Sequence, residues 1–167
     1  MPTLSSRQTF ALIAAGCLGL ILAGLYMQYA MKLIPCALCI TQRIFIISVG
    51  LVALFGFIHA PTGYGQKIYA GLGIVLAAIG ASFSARQIHL QGLPADQVPA
   101  CGPDIAYMFD NFPLMDALSL LLRGDGNCAE VALTFLGLTI PGWTLVAFAG
   151  LVTFNLWQFF RSPQVPQ

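Results

Sequence analysis

Charge is what this sequence has least of. Only 8% of its 167 residues are Asp, Glu, Lys or Arg, while 58% are hydrophobic. Soluble domains carry roughly 25% charged residues, so an ordinary soluble domain is excluded. The acids are confined as well as few. All six (Asp96, Asp104, Asp110, Asp116, Asp125 and Glu130) fall in one segment between apolar stretches. Histidine is down to two, His59 and His89. They fall at opposite ends of adjacent apolar stretches, on either side of a hydrocarbon core about 30 Å thick, which excludes a shared haem iron. Internal repeats and low-complexity tracts are also missing.

What remains is four apolar stretches, over about residues 10–31, 38–58, 68–85 and 143–160. A spanning helix needs roughly 17–25 apolar residues, and backbone groups in hydrocarbon have to be satisfied within the segment. The expected fold is therefore all-α: one integral membrane domain over 1–167, built as a four-transmembrane-helix bundle. Arg7 ahead of the first stretch gives residues 1–31 the look of a leader. The apolar run exceeds the usual h-region of about 7–15 residues and no small-x-small site follows it, so the expectation is an uncleaved anchor.

Four spans leave both termini on one side and put the first and third loops together on the other. The second loop, with Pro61, Gly63 and Gly65, reads as a tight turn. The third, over about 86–142, is the only long polar segment. Within it, Leu114, Met115, Leu118, Leu121 and Leu122 fall in an arc about 120° wide at helical spacing. That pattern predicts a short amphipathic helix, lying either flat in the membrane interface or on the tops of the spans. Lys and Arg are divided between the two sides and do not fix orientation. The acidic loop, and two cysteine pairs on one side, suit an oxidising exterior. The termini are then expected in the cytoplasm.

Four of the five cysteines are at membrane boundaries. Cys36-Ala37-Leu38-Cys39 is a CxxC motif, and Pro35 before it is expected to set the start of the second helix. Both cysteines then lie in the first turn, where the helix dipole favours a thiolate. Arg43 follows Cys39 by four residues and shares its helix face; an arginine within a span is costly and usually functional. Two readings stand. In one the pair is redox-active and Arg43 supports a thiolate or a bound acceptor's carbonyl. In the other the pair is a static disulfide and Arg43 snorkels to headgroups.

Cys101 and Cys128 lie in the long loop, the second directly after the turn residues Gly124-Asp125-Gly126-Asn127. They read as a redox pair or as a structural staple, and a zinc site drawn from all four cysteines is a third reading. Cys17, in mid-span, reads as a packing residue. Tyr26, Trp143 and Trp157 fit the aromatic belts, and Gly71, Gly73 and Gly80 suit close helix packing.

Several segments together carry a resemblance. They are Pro35-Cys36-Ala37-Leu38-Cys39-Ile40-Thr41-Gln42-Arg43, Ala100-Cys101-Gly102-Pro103, Gly126-Asn127-Cys128-Ala129-Glu130, and Phe135-Leu136-Gly137-Leu138-Thr139-Ile140-Pro141-Gly142-Trp143. Across nearly its whole length the chain resembles the disulfide bond formation protein B family, thiol oxidases of the bacterial inner membrane. The resemblance implies a multi-pass bundle with cytoplasmic termini and periplasmic cysteine loops. It implies catalytic roles for Cys36, Cys39, Cys101 and Cys128, and a quinone (ubiquinone or menaquinone) bound near Cys39 and Arg43.

The implied partners are a periplasmic thioredoxin-like thiol oxidase of the DsbA type, the quinone pool and lipid, with no nucleic acid and no metal. Electrons then run from the partner through Cys101–Cys128 and Cys36–Cys39 to quinone. One departure matters: many members have a histidine near the end of the third helix where Gln87 stands, and a carboxamide does not carry a proton at neutral pH. The rival readings are a quinone or vitamin K reductase of related chemistry and a structural tetraspan protein with a stapled loop.

Overall fold

The computed structural model of the chain describes residues 5–61, 63–94, 96–98, 113, 115–116, 126–131 and 133–161. Four helices dominate: α1 (Ser6–Tyr29), α2 (Ala37–His59), α3 (Tyr64–Gln91) and α4 (Ile140–Phe160). All four are long and apolar enough to cross a membrane, as expected of a multi-pass membrane protein. Cys101 lies outside the described residues. So does the amphipathic helix expected over 114–123, apart from Met115 and Asp116, which are helical.

The boundaries follow local chemistry. α1 starts ahead of its apolar run because Ser5 caps it. Gln8 N donates to Ser5 Oγ (3.2 Å) and Ser5 N to Gln8 Oε1 (2.8 Å), the reciprocal capping box. α2 ends at Ala60, whose φ of 43° is left-handed and stops the helix. α3 runs past Ala85 to Gln91, because the polar residues of its last turns find partners in neighbouring elements.

A feature the sequence reading lacked is a small hairpin before α4. Strands β1 (Thr134–Phe135) and β2 (Leu138–Thr139) pair antiparallel. Leu136 (φ 52°) and Gly137 (φ 81°) form its two-residue turn; two positive φ values match the right-handed twist of a tight hairpin. Trp143 Nε1 donates to Phe135 O at 2.9 Å and so pins the hairpin to α4.

Packing follows chain order: α1 lies on α2, α2 on α3 and α3 on α4, while α1 and α4 touch little. The core holds Phe10, Ile13, Ile46, Val49, Ala77 and Phe148. Lipid tails are as apolar as leucine, so close backbone approach rather than hydrophobic burial holds such helices together. α3 supplies it. A Cβ at Gly80 would overlap the Phe148 ring, and one at Gly73 the Asn155 carboxamide. Cys17 is buried at the α1–α2 contact, where a Cβ at Gly50 would come within 3.0 Å of Cys17 Cβ. Outward-facing Leu18, Leu22, Ile47, Leu51, Val75 and Phe154 are exposed, as lipid contact requires.

The two ends of the bundle differ. At the end bearing the termini, Gln158 Nε2 donates to Ser6 and Gln66 Nε2 donates to Gln158 O (2.9 Å), which ties α1, α3 and α4 together. At the other end no such polar tie joins α1 to α4 among the described residues, and a cavity lies there.

Candidate functional site

Cys36 is the N-cap of α2, extended at φ −74° and ψ 170°, and Cys39 is the third helical residue. Cys36 thus stands just before the first turn rather than within it, as the sequence reading had it. This geometry turns both sulfurs the same way: the Cys36 thiol donates to Cys39 Sγ at 3.0 Å. Gln87, from the last turns of α3, meets them. Its Nε2 is 3.3 Å from Cys36 Sγ and 3.3 Å from Cys39 Sγ. Gln87 is itself held by Gln42, whose Nε2 donates to Gln87 Oε1 at 2.8 Å. Both glutamines are buried.

Cys128 completes the sulfur cluster. It lies in a single 3₁₀ turn, Gly126–Ala129, and is fully buried. Its neighbours are Ala37, Leu38 and Leu90, with Cys36 packed alongside. Gln91 Nε2 donates to Glu130 O at 3.4 Å and docks this turn on α3. The Cys36 thiol is pushed well above the usual thiol range, first by hydrogen bonding with Cys128, then by that with Cys39, then by burial. Cys36 therefore keeps its proton and donates it, and Cys39 is the acceptor of the pair. Cys128, which directly follows turn residues in the sequence, is seated in the structure against the head of α2.

Arg43 reaches away from the sulfurs toward α1. Its Nη1 donates to Gln28 Oε1 and its Nη2 to Gly24 O at 3.0 Å. The guanidinium fits because Gly24 has no side chain: a Cβ there would be 3.3 Å from Arg43 Nε. Two fixed hydrogen bonds to α1 are more than snorkelling requires. Arg43 and both CxxC cysteines line one cavity of about 520 Å³, walled also by Gly24, Gln28, Gln87, Phe135, Trp143 and Ala147. Ligand pockets run to about 300–1,000 Å³, mostly apolar with a few placed polar groups, and this cavity has that character. A flat apolar ring with carbonyl oxygens fits the donor set, since Arg43 has guanidinium N–H groups beyond its two bonds to α1 and the rest of the wall is largely apolar.

The structure thus brings Cys36, Cys39, Cys128 and Arg43 to one end of the bundle. His59 and His89 stay apart from this cluster. His59, at the end of α2, has Tyr69 Oη 2.8 Å from its Nδ1, and His89 is exposed on α3. Sequence reasoning missed Gly24, Gln28 and Gln42. Gln28 and Gln42 left a signal, as carboxamides inside or bordering apolar runs; Gly24 left none, because glycine is common in spanning helices.

A family model described as "Disulfide bond formation protein DsbB" matches residues 6–158. Relatives named "Disulfide bond formation protein B" include one from Saccharophagus degradans, 62% identical over 158 residues and covering 95% of both chains. Another, from Nitrosococcus oceani, is 52% identical over 143 residues, covering 86% of this chain and 84% of its own. "Disulfide bond formation protein B 1" from Pseudomonas aeruginosa is 40% identical over 161 residues, covering 96% of this chain and 99% of its own. With four membrane-length helices, a CxxC head on α2 and a family match over almost its full length, the chain belongs to the disulfide bond formation protein DsbB family of membrane proteins.

Proposed function

We propose that this chain is a quinone-dependent thiol oxidase of the bacterial inner membrane, and that it reoxidises a soluble thioredoxin-like disulfide donor. The observation that carries the reading is one of adjacency. Cys128 is packed beside Cys36, Cys36 donates to Cys39, and Cys39 lines the cavity that Arg43 borders. A dithiol relay needs this order of contacts, because exchange proceeds by a thiolate meeting a neighbouring sulfur.

In the proposed sequence the partner's thiolate attacks Cys101 of a Cys101–Cys128 disulfide, forming a mixed disulfide and releasing Cys128. The partner's second thiol resolves the mixed disulfide, leaving the partner oxidised and Cys101 and Cys128 reduced. Cys128 then exchanges with Cys36 of a Cys36–Cys39 disulfide, releasing Cys39 as a thiolate. Closure of Cys101 onto Cys128 releases Cys36. Two electrons and two protons have by then moved from the partner to the CxxC pair.

Quinone, when bound, supplies the acceptor for those two electrons and two protons. Arg43 and the apolar wall would hold it. Arg43 would offer its remaining guanidinium N–H groups to a carbonyl oxygen, beside the wall that the hairpin residue Phe135 and Trp143 form. The six acids of the third loop, together with cysteines that suit an oxidising compartment, support cytoplasmic termini and a periplasmic cysteine end.

The test is turnover by the purified protein, supplied with a reduced thioredoxin-like protein and either ubiquinone or menaquinone. One quinol formed per partner disulfide is the expected result. Oxidation of partner without quinone consumption, or none with either quinone, would remove the reading.

A further inference from the structure

We propose that Gln42 and Gln87 form an oriented carboxamide pair that stabilises the Cys39 thiolate, with Gln87 touching the sulfur and Gln42 acting through Gln87 as a positioning residue. The inference deepens the oxidase reading and rests on it for its catalytic meaning.

A carboxamide has two unlike ends, an NH₂ that donates and an oxygen that accepts. Toward a thiolate the first is attractive and the second repulsive. Which end faces the sulfurs therefore decides whether Gln87 helps or hinders ionisation. Gln42 decides it. Its Nε2 donates to Gln87 Oε1 at 2.8 Å, which occupies the oxygen and turns the Gln87 NH₂ toward the cysteines. That NH₂ has two hydrogens and meets two sulfurs, Cys36 and Cys39, each at 3.3 Å. Burial of both glutamines removes the water that would otherwise compete, and a hydrogen bond to a charged group is stronger in such surroundings.

The same carboxamide serves the protonated state. Cys39 Sγ also lies 3.6 Å from Gln87 Oε1, so a Cys39 thiol donates to the oxygen while a thiolate accepts from the nitrogen. Neither state leaves a buried polar group without a partner. Gln87 thus acts without taking up or releasing a proton itself. Arg43 is directed elsewhere, to Gln28 and Gly24 O, which leaves Gln87 as the side-chain N–H donor in contact with Cys39 among the described residues.

The experiment reads the thiol itself. In the full-length protein, Cys17→Ala, Cys36→Ala, Cys101→Ser and Cys128→Ser leave Cys39 as the sole cysteine, and its alkylation by iodoacetamide is timed at pH 7 and at pH 11. Gln87→Met is expected to slow the pH 7 reaction about tenfold, the size of one lost hydrogen bond to a charged group, while leaving the pH 11 rate within about twofold. Gln42→Met should slow it about threefold, since Gln87 is then free to turn. The double variant should be no slower than Gln87→Met alone, because residues acting in series are not additive.

An unchanged pH 7 rate overturns the proposal, as does an equal fall at both pH values, which would mean altered access rather than altered ionisation. Additive losses overturn the positioning role of Gln42. Should Gln87→Met fail to fold, Gln87→Glu, isosteric but with only oxygens toward the sulfur, is expected to slow the pH 7 reaction at least as much. Alkylation needs neither quinone nor a partner protein. Failure of wild-type turnover with quinone would therefore count against the oxidase reading alone, and a flat alkylation result against the carboxamide pair alone.

Discussion

Gly24 and Arg43 are fitted to one another across the α1–α2 contact: the glycine carbonyl accepts from Arg43 Nη2 at 3.0 Å, and a Cβ on the same residue would be 3.3 Å from Arg43 Nε. The guanidinium of α2 is thereby fixed by the backbone of α1, at the wall of the cavity that Cys39 also lines.

This fit gives the first expectation. Gly24→Val should push the guanidinium from its seat without touching any cysteine. The apparent KM for quinone should rise by about three- to tenfold, the sign of weakened binding in both ground and transition states, with stoichiometric oxidation of the partner unchanged. Quinone titration at saturating partner checks it, and an unaltered KM would separate Arg43 placement from quinone binding.

Arg43 itself should show the larger effect. Arg43→Met is expected to raise the quinone KM, lower kcat, or both, by at least about tenfold in kcat/KM. Arg43→Lys should recover only part of it, because lysine lacks the planar fork that reaches Gln28 Oε1 and Gly24 O together. Unchanged quinone kinetics in Arg43→Met would return this arginine to headgroup contact.

Cys17 should be dispensable. It is buried where α1 meets α2, against Gly50, and lies outside the sulfur cluster. Cys17→Ala should keep activity to within about tenfold, or roughly 1.4 kcal/mol. A greater loss in well-folded protein would assign it a redox role.

Topology is tested by placing single cysteines at Tyr64 and Gln97 in a background without the native ones, then labelling intact cells with an impermeant thiol reagent. Gln66 lies on the same side as Tyr64 but is unsuitable, being buried and bonded to Gln158 O. Tyr64 is 79% exposed and Gln97 is exposed. Position 97 should label and position 64 should not. The reverse pattern would invert the proposed orientation.

The two cysteine pairs should divide the work. Cys101→Ser/Cys128→Ser should still let quinone oxidise a small dithiol, which can reach the CxxC pair directly. Turnover of the thioredoxin-like partner should fall by at least about tenfold. Cys36→Ser/Cys39→Ser should fail with quinone for both reductants, yet oxidise partner once, stoichiometrically. Removing Cys128 alone should trap a mixed disulfide between Cys101 and the partner. Near wild-type turnover of the partner by the loop double variant would reduce Cys101–Cys128 to a staple.

The number of spans, their approximate limits and the placement of a CxxC motif at the head of α2 were legible in the sequence alone. Those properties are local: a run of apolar residues long enough for a bilayer has one backbone solution, and CxxC with Arg43 a turn later is a short-range pattern. The sequence also marked Cys128, through the Gly126-Asn127-Cys128-Ala129-Glu130 segment, without indicating that this cysteine is buried against Cys36. That contact arises from the packing of distant segments, since it depends on α3 extending to Gln91 and holding the loop through Glu130 O. The same holds for the turn of Arg43 to Gln28 and Gly24 and for the aiming of Gln87 at the sulfurs by Gln42. Each partner lies on a different helix, at sequence separations of 15, 19 and 45. Helical periodicity says which residues share a face; it does not say which helix that face meets, and a carboxamide's working end is set by the neighbour that occupies the other.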